Sequence, residues 1–290
     1  MAGKPFHDGP TLALFSLILI TAPIPARGAG PGDFSPVDES SASDRVIDLP
    51  LGGEQHQRVL LAPVPMAKGI IVMLPGGSGD VGLRRNGDIR HDDNFVIRTR
   101  ALWNQRGYSV LIPDTLDGAN LRGRRSSPAY AQLVGTLVAF AKVQARQPVF
   151  LLGTSQGSIA AMNGAAHAVP GSIAGVVLTE SVSVMGGSGE TVFDADPQKV
   201  RAPALVVANR DDGCDVAPPQ SAYQIAAAMT HSRDVRVFKV SGGVARSSRA
   251  CGSLTPHGYY GIESEVVNAI AAWMDAHGVQ HQSIPNSGHS

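Results

Sequence analysis

The sequence predicts an α/β fold built on a mostly parallel sheet. Three observations carry this. Short strand-like runs alternate with helical stretches along the chain, the pattern of strands joined by helical crossovers. Runs such as GIIVML (69–74) and PVFLLG (148–153) are nearly continuously apolar, as strands covered on both faces are. The first two strands arrive with no helix between them, so one edge of the sheet is antiparallel.

In chain order, RVIDL (45–49) and QRVLLA (57–62) make a hairpin-like start that turns at Gly52 and Gly53. The third strand is 69–74. NFVIRTRALWNQRG (94–107) reads as a helix closed by Gly107. YSVLIPD (108–114) is a strand, 127–146 a helix and 148–153 the next strand. The stretch 157–167 is a small-residue helix, followed by strands at 173–179 and 202–209. A helix at 218–231, a strand at 234–240 and a helix at 261–277 complete the domain. In the last helix Ile262, Val266, Ile270, Trp273 and Met274 share one face. The expected domain is therefore 45–277, with eight strands, helices on both faces and a loose polar tail at 278–290. In such sheets ligands sit at the carboxyl ends of the strands, so the search for a site narrows to residues just after each one.

Composition limits the function. Of 290 residues 43% are hydrophobic, enough for a substantial core and against wholesale disorder. Lys plus Arg (24) balances Asp plus Glu (24), whereas a nucleic-acid binder usually carries a basic excess. Residues 1–28 read as a signal peptide: Lys4 precedes the apolar run 12–20, which Pro23 and Pro25 end before small residues suited to cleavage. A Gly-, Pro- and Ser-rich linker spans 29–44. The expected location is secreted or periplasmic, with no membrane span in the mature chain. A monomer is the favoured state.

The sharpest chemical signal is Gly153-Thr154-Ser155-Gln156-Gly157, a G-x-S-x-G between a strand and a helix. A serine on so tight a turn projects its hydroxyl from the sheet, and side chains two residues to either side would collide. A hydroxyl becomes a good nucleophile only with a base and an orienting carboxylate, which in this arrangement follow in the order serine, acid, histidine. The strand ending at Asn209 runs into Asp211, Asp212 and Asp215. Asp212, before a glycine, is favoured over Asp211, and Asp215 is the weakest. The competing reading is that these acids cap the helix near Pro218. His257 follows the last strand and precedes the last helix, whereas His231 precedes that strand and His277 ends the helix. The oxyanion of the transition state needs donors. The backbone amide of Gln156 is one, and Gly77 in Pro75-Gly76-Gly77-Ser78-Gly79 is the other, with Ser78 as its alternative. The same loop spells a dinucleotide-binding pattern at Gly77, Gly79 and Gly82, but polar, turn-rich sequence follows where a helix is required. No cofactor is expected. No metal site is expected either, since the nine histidines are scattered.

Together LPGGSG, GTSQG, NRDDGC and TPHGYYG resemble the loops of the α/β-hydrolase family, over about residues 45–277. The resemblance implies an α/β-hydrolase fold with Ser155 as nucleophile, His257 as general base and acid, and Asp212 as the orienting carboxylate. The chain departs from many relatives in its Leu-Pro-Gly-Gly oxyanion loop and in Asn209 and Arg210 before the acid. In an oxidising compartment Cys214 and Cys251 would pair and tie the acid loop to the histidine loop. Relatives often carry a lid between the sixth and seventh strands. Here 180–201 is short and Gly-rich, so little or no cap domain is expected. Arg122, Arg124 and Arg125 invite an anionic substrate group, but a charge run is more often a solvated face. The function expected is hydrolysis of a small-molecule carboxylic ester. Amide or peptide hydrolysis or acyl transfer on the same triad is the alternative, and a non-catalytic binding module the third reading.

Overall fold

Strand pairing fixes where the loops gather. The computed structural model describes residues 43–145 and 147–282. The signal segment and nearly all of the linker expected at 1–44 lie outside the described residues, as does the end of the tail. The strands are β1 (Arg45–Gly52), β2 (Gln55–Ala62), β3 (Gly69–Leu74), β4 (Tyr108–Pro113), β5 (Val149–Thr154), β6 (Gly175–Thr179), β7 (Ala204–Asn209) and β8 (Val235–Val240). They form one sheet in the order β1-β2-β4-β3-β5-β6-β7-β8. β1 pairs antiparallel with β2, and β2 with β4, while the other pairs are parallel. The eight-stranded, mostly parallel sheet with an antiparallel edge is as the sequence predicts.

The helices are α1 (Phe95–Arg98), α2 (Arg100–Gln105), α3 (Pro128–Ala145), α4 (Gly157–Ala166), α5 (Ala222–Ala228) and α6 (Glu263–Gln282). They cover both faces because strand side chains alternate between them. Ile70, Val72, Leu74 and Leu151 pack on one side with Val134 and Leu137 of α3 and Ile159 and Ala161 of α4. Ile71, Met73, Phe150 and Leu152 pack on the other with Phe95, Trp103 and the α6 residues Ile270 and Met274. Burial on both faces accounts for the continuous apolar runs of the central strands.

Three boundaries differ from expectation. The helix expected at 94–107 is two, because Thr99 breaks it. Its hydroxyl donates to the Phe95 carbonyl (2.6 Å) and accepts from the Trp103 indole N–H (3.2 Å), a back-bond of the kind that bends helices, and its backbone departs to φ −92°, ψ −2°. The helix expected at 218–231 is α5 alone, preceded by a 3-10 turn at Pro219–Ser221, since Pro219 disfavours helical backbone at Pro218, which is extended (ψ 130°). The tail expected to be loose from residue 278 begins as helix, because α6 runs on to Gln282. His277 therefore sits inside α6, stacked on Trp273 with ring centroids 4.2 Å apart. Between β6 and β7 there are only two short 3-10 turns, Val192–Ala195 and Pro197–Lys199, so no cap domain covers the sheet edge there.

Candidate active site

The turn after β5 is bent as a strand-to-helix elbow. Ser155 has φ +52°, a left-handed conformation that costs a non-glycine residue roughly 1–2 kcal/mol. The surroundings hold it there. Its N–H donates to the Thr179 carbonyl at the end of β6 (2.9 Å), and its carbonyl accepts from the buried Ser158 hydroxyl (2.6 Å). The flanking glycines are required by space. A Cβ on Gly153 would stand 2.2 Å from the Gly157 carbonyl oxygen, and one on Gly157 would stand 2.1 Å from the Leu74 carbonyl oxygen. Small residues thus let α4 pack against β3 and β5.

Two loops bring partners to Ser155. His257 lies in a 3-10 turn, Pro256–Gly258, whose start is capped by the Thr255 hydroxyl. Its Nε2 is 2.9 Å from Ser155 Oγ, and its Nδ1 is 2.7 Å from Asp212 Oδ2. The other Asp212 oxygen accepts from the Cys214 N–H (2.8 Å). An ionised carboxylate only accepts, so the proton belongs on Nδ1 and leaves Nε2 to accept from the serine hydroxyl. Both His257 and Asp212 are buried. Asp211 points elsewhere and accepts from the Gly242 N–H. Asp215 is exposed, and His231 and His277 lie with Gln198 and Asp234, away from Ser155. A disulfide joins Cys214 to Cys251, tying the two loops together.

The loop after β3, expected to carry an oxyanion donor, is held by a residue that sequence reasoning set aside. Arg122 and Arg124 are exposed, but Arg125, directly after them, is only 1% exposed. It is not part of a solvated face. Its guanidinium donates to the carbonyls of Gly77 (2.9 Å) and Pro75 (3.3 Å) and reaches the Gln156 side chain at 3.5 Å. Burial lowers its pKa, with the charges of Tyr130 and Glu190 partly opposing that. A trans peptide points its C=O and N–H in opposite directions, so fixing these carbonyls fixes the N–H groups of Gly76 and Ser78. The bond from Gly79 N–H to the Gly76 carbonyl (3.1 Å) fixes that of Gly77 in the same way. Gly77 faces open space, whereas Gly76 lies against Ser155, where a Cβ would stand 3.1 Å from the serine Cβ. Gln156 precedes the first turn of α4, where N–H groups have no partner within the helix.

Two more residues missed in the sequence complete the setting. Asn209, at the end of β7, donates through its side chain to the carbonyls of Gly242 (2.9 Å) and Pro256 (3.1 Å), joining the acid loop to the histidine loop. Glu180 directly follows β6, is 1% exposed and has φ +43°. Its Oε1 accepts from the Asn209 N–H (2.7 Å). Its pKa is pushed well up, first by burial and then by the neighbouring Asp212 charge. Its position directly after a strand was a usable signal. Arg125 had none, because nothing in three nearby arginines marks the buried one.

No family model matches this sequence, and no curated protein matches it. Solved structures do. A dienelactone hydrolase from Anabaena variabilis superposes with a TM-score of 0.52 at 17% identity, covering 80% of this chain and 96% of that one. An esterase from Pyrococcus furiosus gives 0.57 at 12%, covering 85% and 95%. A carboxyl esterase from Bacillus coagulans gives 0.57 at 12%, covering 81% and 99%. At these identities the likeness speaks for architecture. Strand order, the elbow and the placing of the loops agree with it: the chain has the α/β-hydrolase fold.

Proposed function

We propose that this chain is a serine hydrolase that cleaves a carboxylic ester through an acyl-enzyme on Ser155. The observation that carries the reading is the unbroken line from Ser155 Oγ to His257 Nε2 and from Nδ1 to Asp212, at 2.9 and 2.7 Å. Ser155 Oγ attacks the ester carbonyl carbon while His257 Nε2 takes its proton. Asp212 stabilises the imidazolium and keeps the ring in the required tautomer. The amides of Gln156 and Gly77 receive the oxyanion. Collapse breaks the bond to the alcohol, which leaves with the proton from His257. Water, giving a proton to the same nitrogen, attacks the acyl group, and the acid departs as Ser155 regains its proton.

The disulfide supports an oxidising compartment, periplasmic or extracellular. The fold it shares with esterases supports a small ester as substrate. A fluorophosphonate probe is expected to label the wild-type protein and not Ser155→Ala. Absence of labelling in the folded wild type overturns the reading. Turnover of short- and long-chain esters with none of peptide amides supports the ester assignment, and the reverse pattern replaces it.

A further inference from the structure

Behind the proposed triad lies a second carboxyl that the mechanism above does not use. Ligand atoms of Glu180, Asp212 and His257 all fall within 4.8 Å of one another, and all three residues are buried. Glu180 Oε1 accepts from the Asn209 N–H, but Oε2 is buried with no hydrogen-bond partner among the described residues. Asp212 is better supplied, since both its oxygens accept, from Cys214 N–H and from His257. Two buried carboxyls this close do not both ionise, and the charge settles on the better-solvated one. The titratable groups facing Glu180 are Asp212 from the β7–α5 loop and His257 and Tyr259 from the turn before α6. Protonation turns the unpaired Oε2 from an orphaned acceptor into a donor, in a buried cluster where the Asp212 carboxylate is a neighbouring acceptor.

We propose that Glu180 is a positioning residue that holds a proton on Oε2 and donates it as a hydrogen bond to the Asp212 carboxylate. The proposal rests on the serine-hydrolase reading for its effect on rate, though not for the protonation itself. The bond steadies Asp212 against His257 and withdraws some of the charge that stabilises the imidazolium. The left-handed backbone at Glu180 is the conformation that turns its side chain inward from the strand end.

Two variants test it. Glu180→Gln keeps an acceptor for Asn209 N–H and a neutral donor for Asp212. It is expected to retain kcat within about threefold and to leave the acid limb of the kcat/KM profile in place. Glu180→Leu removes the donor. It is expected to lower kcat roughly ten- to a hundredfold with little change in KM, and to move the acid limb to higher pH. An acid limb that moves to lower pH in Glu180→Gln means that a negative charge was lost, which overturns the proposal. So does an unmoved profile in Glu180→Leu. The infrared difference spectrum of wild type minus Glu180→Gln at neutral pH is expected to show a protonated-carboxyl C=O band, and its absence also overturns the proposal. That measurement needs no activity and no leucine variant. It therefore decides the protonation even where failed fluorophosphonate labelling has removed the hydrolase reading.

Discussion

At Ser155 the backbone does much of the work. The left-handed φ is sustained by contacts that only glycine permits on either side, so the elbow is sensitive to a single methyl group. Gly157→Ala places a Cβ 2.1 Å from the Leu74 carbonyl oxygen, and backbone cannot swing aside as a side chain can. It is expected to destabilise by about 1–3 kcal/mol or more in urea unfolding and to slow fluorophosphonate labelling, because α4 must move off β3. A variant with wild-type stability and labelling counts against the packing argument. Arg125 acts at the same scale. Arg125→Met leaves the Pro75 and Gly77 carbonyls without their donor and frees the oxyanion loop. In the proposed mechanism kcat falls roughly a hundredfold with KM little changed, as for loss of one oxyanion donor. Arg125→Lys, which reaches one carbonyl at a time, is expected to fall between the two. Equal losses in kcat and stability for Lys and Met would assign Arg125 to packing alone.

At the scale of the element, the loops after β3, β5, β6, β7 and β8 gather at the carboxyl ends of these parallel strands, and covalent and polar ties hold their register. The disulfide closes a separation of 37 residues, which contributes about 4 kcal/mol in the chain-entropy model. The Cys214→Ser/Cys251→Ser double variant is expected to shift the urea midpoint down accordingly and to lower kcat, since the Cys214 N–H also holds Asp212. The intact protein should show no alkylatable thiol without reductant. Two labelled thiols would remove the bridge. How far the molecule was legible follows from these ties. Strand positions were readable because burial on both faces leaves continuous apolar runs. Ser155, Asp212 and His257 were brought together by reading order along the chain. What escaped depends on contacts across the chain. Arg125 differs from Arg122 and Arg124 only in the turn that buries it, and Asn209 matters because of carbonyls at Gly242 and Pro256. Glu180 was within reach, since the rule that found Ser155 after β5 applies equally to the residue after β6.

For the whole molecule, the buried carboxyl at Glu180 makes stability depend on pH with a sign opposite to that of most acids. Its pKa is raised above the ordinary 4.5, by burial first and the Asp212 charge second. The unfolded chain loses this proton near the ordinary value while the fold keeps it. The contribution to stability is thus fully present below about pH 4.5 and is lost as pH rises toward and through the folded value. In that window the loss proceeds at up to about 1.4 kcal/mol per pH unit. Asp48 and Asp234 run the other way. Hydrogen bonds from Arg58 and His277, respectively, lower their pKa values first, so their contributions are lost as pH falls. Both are substantially solvent-exposed, which keeps those contributions small. They cancel in any comparison that leaves them untouched. Glu180→Gln is such a comparison, because an amide has no proton to lose. The stability of Glu180→Gln relative to wild type is therefore expected to be lowest near pH 4.5 and to rise steadily toward neutrality. Urea midpoints of the two proteins across that range check it, and parallel curves would mean that Glu180 titrates in the fold as it does in the unfolded chain.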